Sequence, residues 1–387
     1  MYSDSSKFVF EVDLERIMNL SYWERNQWFD DLDVIIIGSG IVGLSTAIHI
    51  LESDPHHKVL ILEKGILPQG GSTKNAGFAC FGSLSELIHD LDSHSPEEVI
   101  DLIRLRWEGL NSMRTLLGDE HMGYECHGSY ELFLEKDLPL FYNCREHLEH
   151  INKLLLPVFN APAFVEQATP FGFGNVHHHC FFNPFEGQID TGKMMDALIK
   201  KAAGLGTHIL TGMNVNKTST DGKVYLQNDF EIQGKKIIVA TNGFANQLLN
   251  VSVVPARAQV LITHKIENLA IKGTFHMDQG YYYFRNINDR ILFGGGRQLD
   301  LEGETTAEFG LNAPIQETLS KLLKSVILPQ TPFEIDDRWS GIMGVGDKKT
   351  PLIKTFSDQL YCGVRLGGMG VAIGNLVGKK LAETINL

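Results

Sequence analysis

Three glycines in the run VIIIGSGIVGLSTA, from Val34 to Ala47, constrain the fold of this chain more than any other stretch. The β-branched residues Val34–Ile37 predict a buried strand, and Leu44–Leu51 predicts a helix. Gly38 lets the chain turn sharply between them, Gly40 lets backbone N–H groups approach a pyrophosphate, and Gly43 lets the helix pack close to the strand. A polar loop and a second strand, Val59–Leu62, lead to Glu63, completing a βαβ unit. A carboxylate at Glu63 accepts hydrogen bonds from both hydroxyls of a ribose and repels a 2′-phosphate, which disfavours NADP. The unit places phosphates on the helix N-terminus and does not separate FAD from NAD.

Two other stretches bear on that choice. PQGGSTKNAGFACFGS, residues 68–83, is polar and glycine-rich. It suits a second approach to the same anion, with Ser72 and Thr73 as donors and Lys74 as counter-charge; the alternative is an ordinary surface loop. LYCGVRLGGMGVAIGNLVGKKLAETI, residues 360–385, reads as a strand, a glycine loop and a helix. The helix N-terminus would face a delocalised anion such as the N1/O2 edge of a reduced flavin, which NAD does not need; the alternative is close packing of small residues.

Elsewhere the chain reads as helices at Pro96–Leu117 and Leu138–Leu155, a hairpin around Asp221-Gly222, a strand at Lys236–Ala240, and a strand-rich block to about 300 with an Asn288-Asp289 turn. Tyr22, Trp23, Trp28 and Phe29 predict a short helix anchored by aromatics. The expected class is α/β with an α+β second domain: a Rossmann-like nucleotide domain of the glutathione-reductase type and a discontinuous antiparallel-sheet substrate domain. The division is an N-terminal extension at 1–30, a nucleotide domain at 31–85, 186–250 and 335–387, and a substrate domain at 86–185 and 251–334.

Lys+Arg total 34 against 47 for Asp+Glu, a net charge of -13 that argues against nucleic acid and anionic membranes. Five scattered cysteines without a C-x-x-C pair read as reduced thiols. No signal peptide or membrane span is visible in the sequence, so a cytoplasmic location is expected. In VHHHC, Val176–Cys180, a strand would put His177 and His179 on one face and His178 and Cys180 on the other, so at most two ligands converge, and no metal is expected.

The order of motifs resembles the D-amino acid oxidase superfamily of FAD oxidoreductases, nearest to its glycine oxidase, sarcosine oxidase and gamma-glutamylputrescine oxidase group. Its landmarks are the first glycine motif with Glu63, GGSTKNAG at 70–77, EGQID at 186–190, ATNG at 240–243, PARAQ at 255–259, RILFGGG at 290–296, WSGIMG at 339–344, and the final glycine loop. The resemblance implies FAD in an extended form, with Gly38, Ser39, Gly40, Ile41, Val42 and Gly43 at the pyrophosphate and Glu63 with Lys64 at the adenosine ribose. It places Gly71, Ser72, Thr73, Lys74, Asn75, Ala76 and Gly77 along the phosphates and flavin, Val215 at the adenine, and Ala240, Thr241, Asn242, Gly243 and Gly341 beside the cofactor. Gly367, Gly368, Met369, Gly370 and Val371 would face the isoalloxazine, and Arg365, where the family commonly carries glycine, would alter the substrate or flavin environment or point to solvent. No cysteine lies in the segment matching the family's covalent attachment site, so the FAD is expected to be non-covalent.

The implied reaction oxidises the C–N bond of a small amine or amino acid by hydride transfer to flavin N5, with oxygen or another acceptor taking the electrons. A forked guanidinium would clamp a substrate carboxylate. Arg285 is the first candidate, with Tyr281 and Tyr283 on the same strand face; Arg365 is the second, and Met369 stands where relatives carry polar or aromatic side chains. A non-catalytic or electron-transfer flavoprotein subunit and a tRNA-modifying flavoenzyme are the alternatives, and an NAD dehydrogenase stays open. The oligomeric state is not legible in the sequence.

Overall fold

The computed structural model describes residues 19–227 and 229–385. The stretch read above for a leader lies outside the described residues as far as residue 18. The first sheet is built outward from Leu32–Ile37, which pairs in parallel with Val59–Leu62 on one side and Glu231–Val239 on the other. His208–Leu210 and Leu360–Val364 extend it in parallel at either side, and Leu352–Thr355 closes one edge antiparallel. Covered on both faces, such strands need unbroken apolar runs, and VLIL and VIII supply them.

Between the first two strands, helix Ile41–Ser53 starts three residues before the predicted bound, at the residue after Gly40. The reason for the third glycine is a distance: a Cβ at Gly43 would lie 2.0 Å from the carbonyl oxygen of Gly38. Helix and turn therefore touch backbone to backbone. Gly38 itself has φ +103°, a region closed to side chains.

The second sheet runs in the order Ile335–Val345, Val254–Thr263, Arg290–Gly295, Tyr282–Ile287, Thr274–Met277, Ser129–Leu132, His179–Asn183, Val165–Ala168. All its pairings are antiparallel except that of Thr274–Met277 with Ser129–Leu132. Asn288 and Asp289 both take left-handed φ values, 49° and 61°, which suits the tight hairpin between Tyr282–Ile287 and Arg290–Gly295.

Three sequence expectations are corrected. Residues 335–345, assigned above to the nucleotide domain, form a strand paired along its length with Val254–Thr263 in the second sheet. Helix Pro96–Leu117 has the predicted bounds, set by Ser95 and Glu98 in a capping box and Pro96 in the first turn, but it packs on the carboxy-terminal helix Gly370–Thr384 rather than on the second sheet. At the amino-terminal end only Trp28 and Phe29 anchor the segment, against His208 and Phe230; Tyr22 and Trp23 are 72% and 76% exposed. The helix there is one turn, Tyr22–Glu24, that widens into a π turn at Arg25–Phe29. No helix among the described residues is long and apolar enough to cross a membrane.

One ion pair fixes the segment that roofs the site. Glu304, fully buried, receives Arg257 Nη2 at 2.7 Å, Gln259 Nε2 at 2.9 Å and Asn312 Nδ2 at 3.0 Å. Burial pushes the Glu304 carboxyl up, but Arg257, Gln259 and Asn312 outweigh it, and the net shift is downward. A carboxyl held low when folded contributes stability above its unfolded pKa and loses it as pH falls through the folded one.

Two stability predictions follow from these contacts. Gly43→Ala should cost about 1–3 kcal/mol, since strand and helix must part, and a thermal midpoint equal to wild type would contradict the backbone contact. Glu304→Gln should cost about 1.5–3 kcal/mol at neutral pH, and its deficit relative to wild type should shrink as pH falls below the ordinary glutamate value of 4.5. A deficit that stays constant from neutral to acid pH would rule out a charged Glu304.

Candidate functional site

A cavity of about 720 Å³ runs from the first glycine turn to the inner face of the second sheet. Its nucleotide end is lined by Gly38, Gly40, Ile41, Val42, Glu63 and Lys64. Glu63 is buried, and its Oε2 accepts from both Ser39 N–H at 3.0 Å and Ser39 Oγ–H at 2.7 Å, while Oε1 accepts from Gly65 N–H at 3.0 Å. The carboxylate thus ties the first turn to the loop after the second strand. Ser39 reaches the cavity only through Glu63, and Gly43 stands behind the turn as a packing residue; neither lines the cavity.

Gly71, Ser72, Lys74, Asn75 and Ala76 form the next wall. Ser72 Oγ accepts from Ile41 N–H at 3.0 Å, and a Cβ at Gly40 would come within 2.8 Å of that hydroxyl oxygen. The hydroxyl therefore sits where the helix offers its free N–H groups. Thr73 faces away, donating to Pro68 O at 2.6 Å, and Gly77 is shielded by Arg285; neither lines the cavity. Asn75 is a brace: it donates to Ser72 O at 2.8 Å, while its own oxygen accepts from Gly77 N–H at 2.8 Å and Thr191 Oγ–H at 3.0 Å.

Val215 lies in the cavity wall with Met213 and Asn214, next to Glu63, whose backbone O accepts from Met213 N–H at 2.8 Å. Ala240, Thr241 and Asn242 line the opposite side, and Gly243 is withdrawn, its missing Cβ directed within 2.5 Å of Met343 O. Gly341, Gly367, Gly368, Met369, Gly370 and Val371 complete the far end, where the carboxy-terminal helix begins. Asn242 Oδ1 accepts from Arg365 N–H at 3.0 Å and Leu366 N–H at 3.3 Å, so it holds that glycine loop in place.

Both arginines chosen from the sequence are placed outside the cavity lining. Arg285 is 2% exposed and donates to three carbonyls: Ala76 O through Nε, Ile189 O at 2.9 Å and Asn286 O at 3.2 Å. Burial pulls its guanidinium down to about 10, so it remains a cation that bolts the Ala76–Gly77 loop to the second sheet. Arg365, with φ +64°, turns its side chain away from the cavity toward Thr350 O at 3.1 Å and Ser252 O at 3.4 Å; it is buried and not solvent-directed. The two-residue period placed Tyr281 and Tyr283 with Arg285. Both tyrosines line the cavity while Arg285 does not, and Tyr281 precedes the strand and is 43% exposed.

Arg297 was missed and is the arginine of the cavity wall. It follows Gly295 and Gly296 at the end of RILFGGG, and the φ of +81° at Gly296 turns the chain inward. Arg297 Nε is buried without a hydrogen-bond partner, and Nη2 reaches Thr305 Oγ1 at 3.4 Å. The signal was the glycine triplet itself, which frees the next side chain to leave the sheet plane. Phe78, Cys80, His276, Phe309, Ile342 and Met343 line the same cavity. Tyr283 is pushed up to about 12 by burial and so stays a neutral phenol.

In the three-histidine run, His179 Nδ1 pairs with Glu166 at 2.6 Å and His177 with the backbone of His179. Among the described residues, the group able to hold a metal is a different one, Cys80, Glu186 and His276.

An extended dinucleotide fits this arrangement. Gly40 brings the Ser72 hydroxyl to the helix N-terminus at the cavity wall, and Gly367 and Gly368 take φ values of +57° and +81° to present backbone rather than side chains at the far end. Compared with known proteins, residues 33–384 match the DAO family, described as FAD dependent oxidoreductase. Gamma-glutamylputrescine oxidoreductase of Escherichia coli is 22% identical, over 91% of this chain and 83% of that protein. The bifunctional protein ThiO/ThiG of Synechocystis is 25% identical over 80% of this chain, which spans 44% of that relative's length. Among solved structures, glycine oxidase from Geobacillus kaustophilus superimposes with a TM-score of 0.73 at 18% identity, covering 91% of this chain and 94% of that one. With nine-tenths of its length matched, this chain belongs to the DAO family of FAD-dependent oxidoreductases.

Proposed function

We propose that this protein oxidises the C–N bond of a small amino acid, using non-covalent FAD. The observation that carries the reading is Arg297, a cavity-lining cation whose buried Nε has no hydrogen-bond partner. A buried N–H donor left unpaired costs about 1–3 kcal/mol, and a substrate carboxylate would recover it with a two-pronged hydrogen bond. Iminodiacetate oxidase from Chelativorans shares the fold at a TM-score of 0.70.

Gly38, Gly40, Glu63, Ser72 and Val215 would hold the adenosine and pyrophosphate, and Gly367–Val371 the ring system. Bound FAD would supply the two-electron acceptor for the carbon that carries the amine. This chain's residues do the rest. Arg297 fixes the carboxylate, and Phe78, Ile342, Met343 and Met369 exclude water from the carbon. The same apolar walls favour a neutral amine over an ammonium ion, as the reaction requires. The tyrosine phenol of Tyr283, neutral at working pH, orients the substrate as a donor. The helix N-terminus at Gly370 faces the cavity and favours negative charge on whatever lies against it.

Arg297→Met, which keeps an unbranched apolar stem but removes the charged fork, tests the reading. Its affinity for an amino acid substrate should fall by about tenfold to a hundredfold, while affinity for the matching amine without the carboxylate should change little. Equal losses for both compounds, or no loss for the acid, would remove Arg297 as the carboxylate anchor.

A further inference from the structure

We propose that Cys80, Glu186 and His276 form a binding site for a zinc-class divalent cation in the wall of the cavity. The three come from separate parts of the chain. Cys80 follows the short strand Phe78–Ala79, Glu186 precedes the strand Gly187–Gln188 that pairs with it, and His276 lies in the strand Thr274–Met277 of the second sheet. The fold brings one ligand atom from each within 4.8 Å of the other two. All three are buried, at 2%, 0% and 6% exposure.

Two of the ligand atoms have nothing else to bind. Glu186 Oε2 and His276 Nε2 are buried without a hydrogen-bond partner and point at one another across 3.9 Å, too far for a hydrogen bond. The third, Cys80 Sγ, makes the weak hydrogen bonds usual for sulfur, at 3.6 Å to Thr274 Oγ1 and 3.9 Å to Gly187 O. Arg106 lies nearby and spends its Nη1 on Phe81 O, making no hydrogen bond to Glu186 Oε2. Buried polar atoms are ordinarily satisfied, and two orphaned atoms facing one another beside a buried thiol point to a common partner.

A cation answers that need. Ligands at the usual ~2.0–2.3 Å from a tetrahedral zinc stand roughly 3.3–3.8 Å apart, so closing the site asks for shifts under about 1 Å. Sulfur, imidazole nitrogen and carboxylate oxygen together are the donor set of a borderline cation and not of magnesium or calcium. Glu186 is also pre-aimed. Its other oxygen accepts from Phe81 N–H at 2.5 Å and Gly82 N–H at 3.2 Å, the kind of outer support that orients a ligand. Binding releases the thiol proton, and the two anionic ligands then balance the two charges of the metal. Because Cys80 and His276 both line the cavity, the fourth coordination position opens into it, toward water or a donor atom of the substrate.

The test uses the full-length protein with its FAD. After growth with added zinc and removal of loose metal, elemental analysis should find about one zinc per chain, falling by at least ~tenfold in Cys80→Ser and in His276→Ala, with FAD content held at the wild-type value. Wild type without zinc, or variants that keep it, would overturn the proposal. If the variants lose FAD and so fail to fold, cobalt titration of the metal-stripped wild type decides. Ligand-field absorption to the red of the flavin band, saturating at one equivalent, supports the site, and its absence overturns it.

Discussion

The site depends on one close approach, the backbone of helix Ile41–Ser53 against the turn at Gly38. With no side chain at Gly43, the helix N-terminus is held beside the end of the first strand. Everything else at the nucleotide end is referred to that point. Ser39 receives the Glu63 carboxylate, Gly40 gives room to Ser72, and a Cβ on Gly38 would lie 3.0 Å from Ala240 O. Each neighbour comes from a different part of the chain. Three missing side chains, at Gly38, Gly40 and Gly43, therefore set how closely these segments approach one another.

The second constraint joins the two sheets. Arg285, on the second sheet, donates to Ala76 O and Ile189 O. Trp339, also on that sheet, donates through Nε1 to Lys74 O at 2.9 Å. Both grip the loop that forms one wall of the cavity and so tie it to the second sheet. Three of the N–H groups of Arg285 go to fixed carbonyls, and its side chain lies outside the cavity wall. Arg297, which follows the next strand, lies in that wall, and residue type alone does not separate the two.

Much of the fold was legible because its local rules are strong. Backbone closeness requires glycine, a capping box at Ser95 and Glu98 sets a helix start, and Asn288-Asp289 sets a hairpin. Several landmarks also acquire physical reasons. The arginine and glutamine of PARAQ clamp Glu304, the asparagine of ATNG holds the final glycine loop, and the tryptophan of WSGIMG caps the Lys74 carbonyl. What escaped was long-range. The strand at 335–345 lacks the unbroken apolar run of the first sheet, and its pairing with Val254–Thr263 assigns it to the second. Cys80, Glu186 and His276 stand about 90 to 200 residues apart with no spacing rule to link them. Arg297 was overlooked because its signal lay in the glycines before it.

The central claim is that the cavity holds FAD and passes it the electrons of a carboxylate-bearing amine. The most direct measurement is the visible spectrum of the purified protein, recorded without oxygen before and after adding single amino acids and their decarboxylated amines. The account predicts a flavin band that bleaches fully with one or a few amino acids and more weakly with the amines. A flavin band unchanged by every amino acid and amine would contradict it and favour an electron-transfer subunit, and folded protein that takes up no added FAD would contradict it at the root.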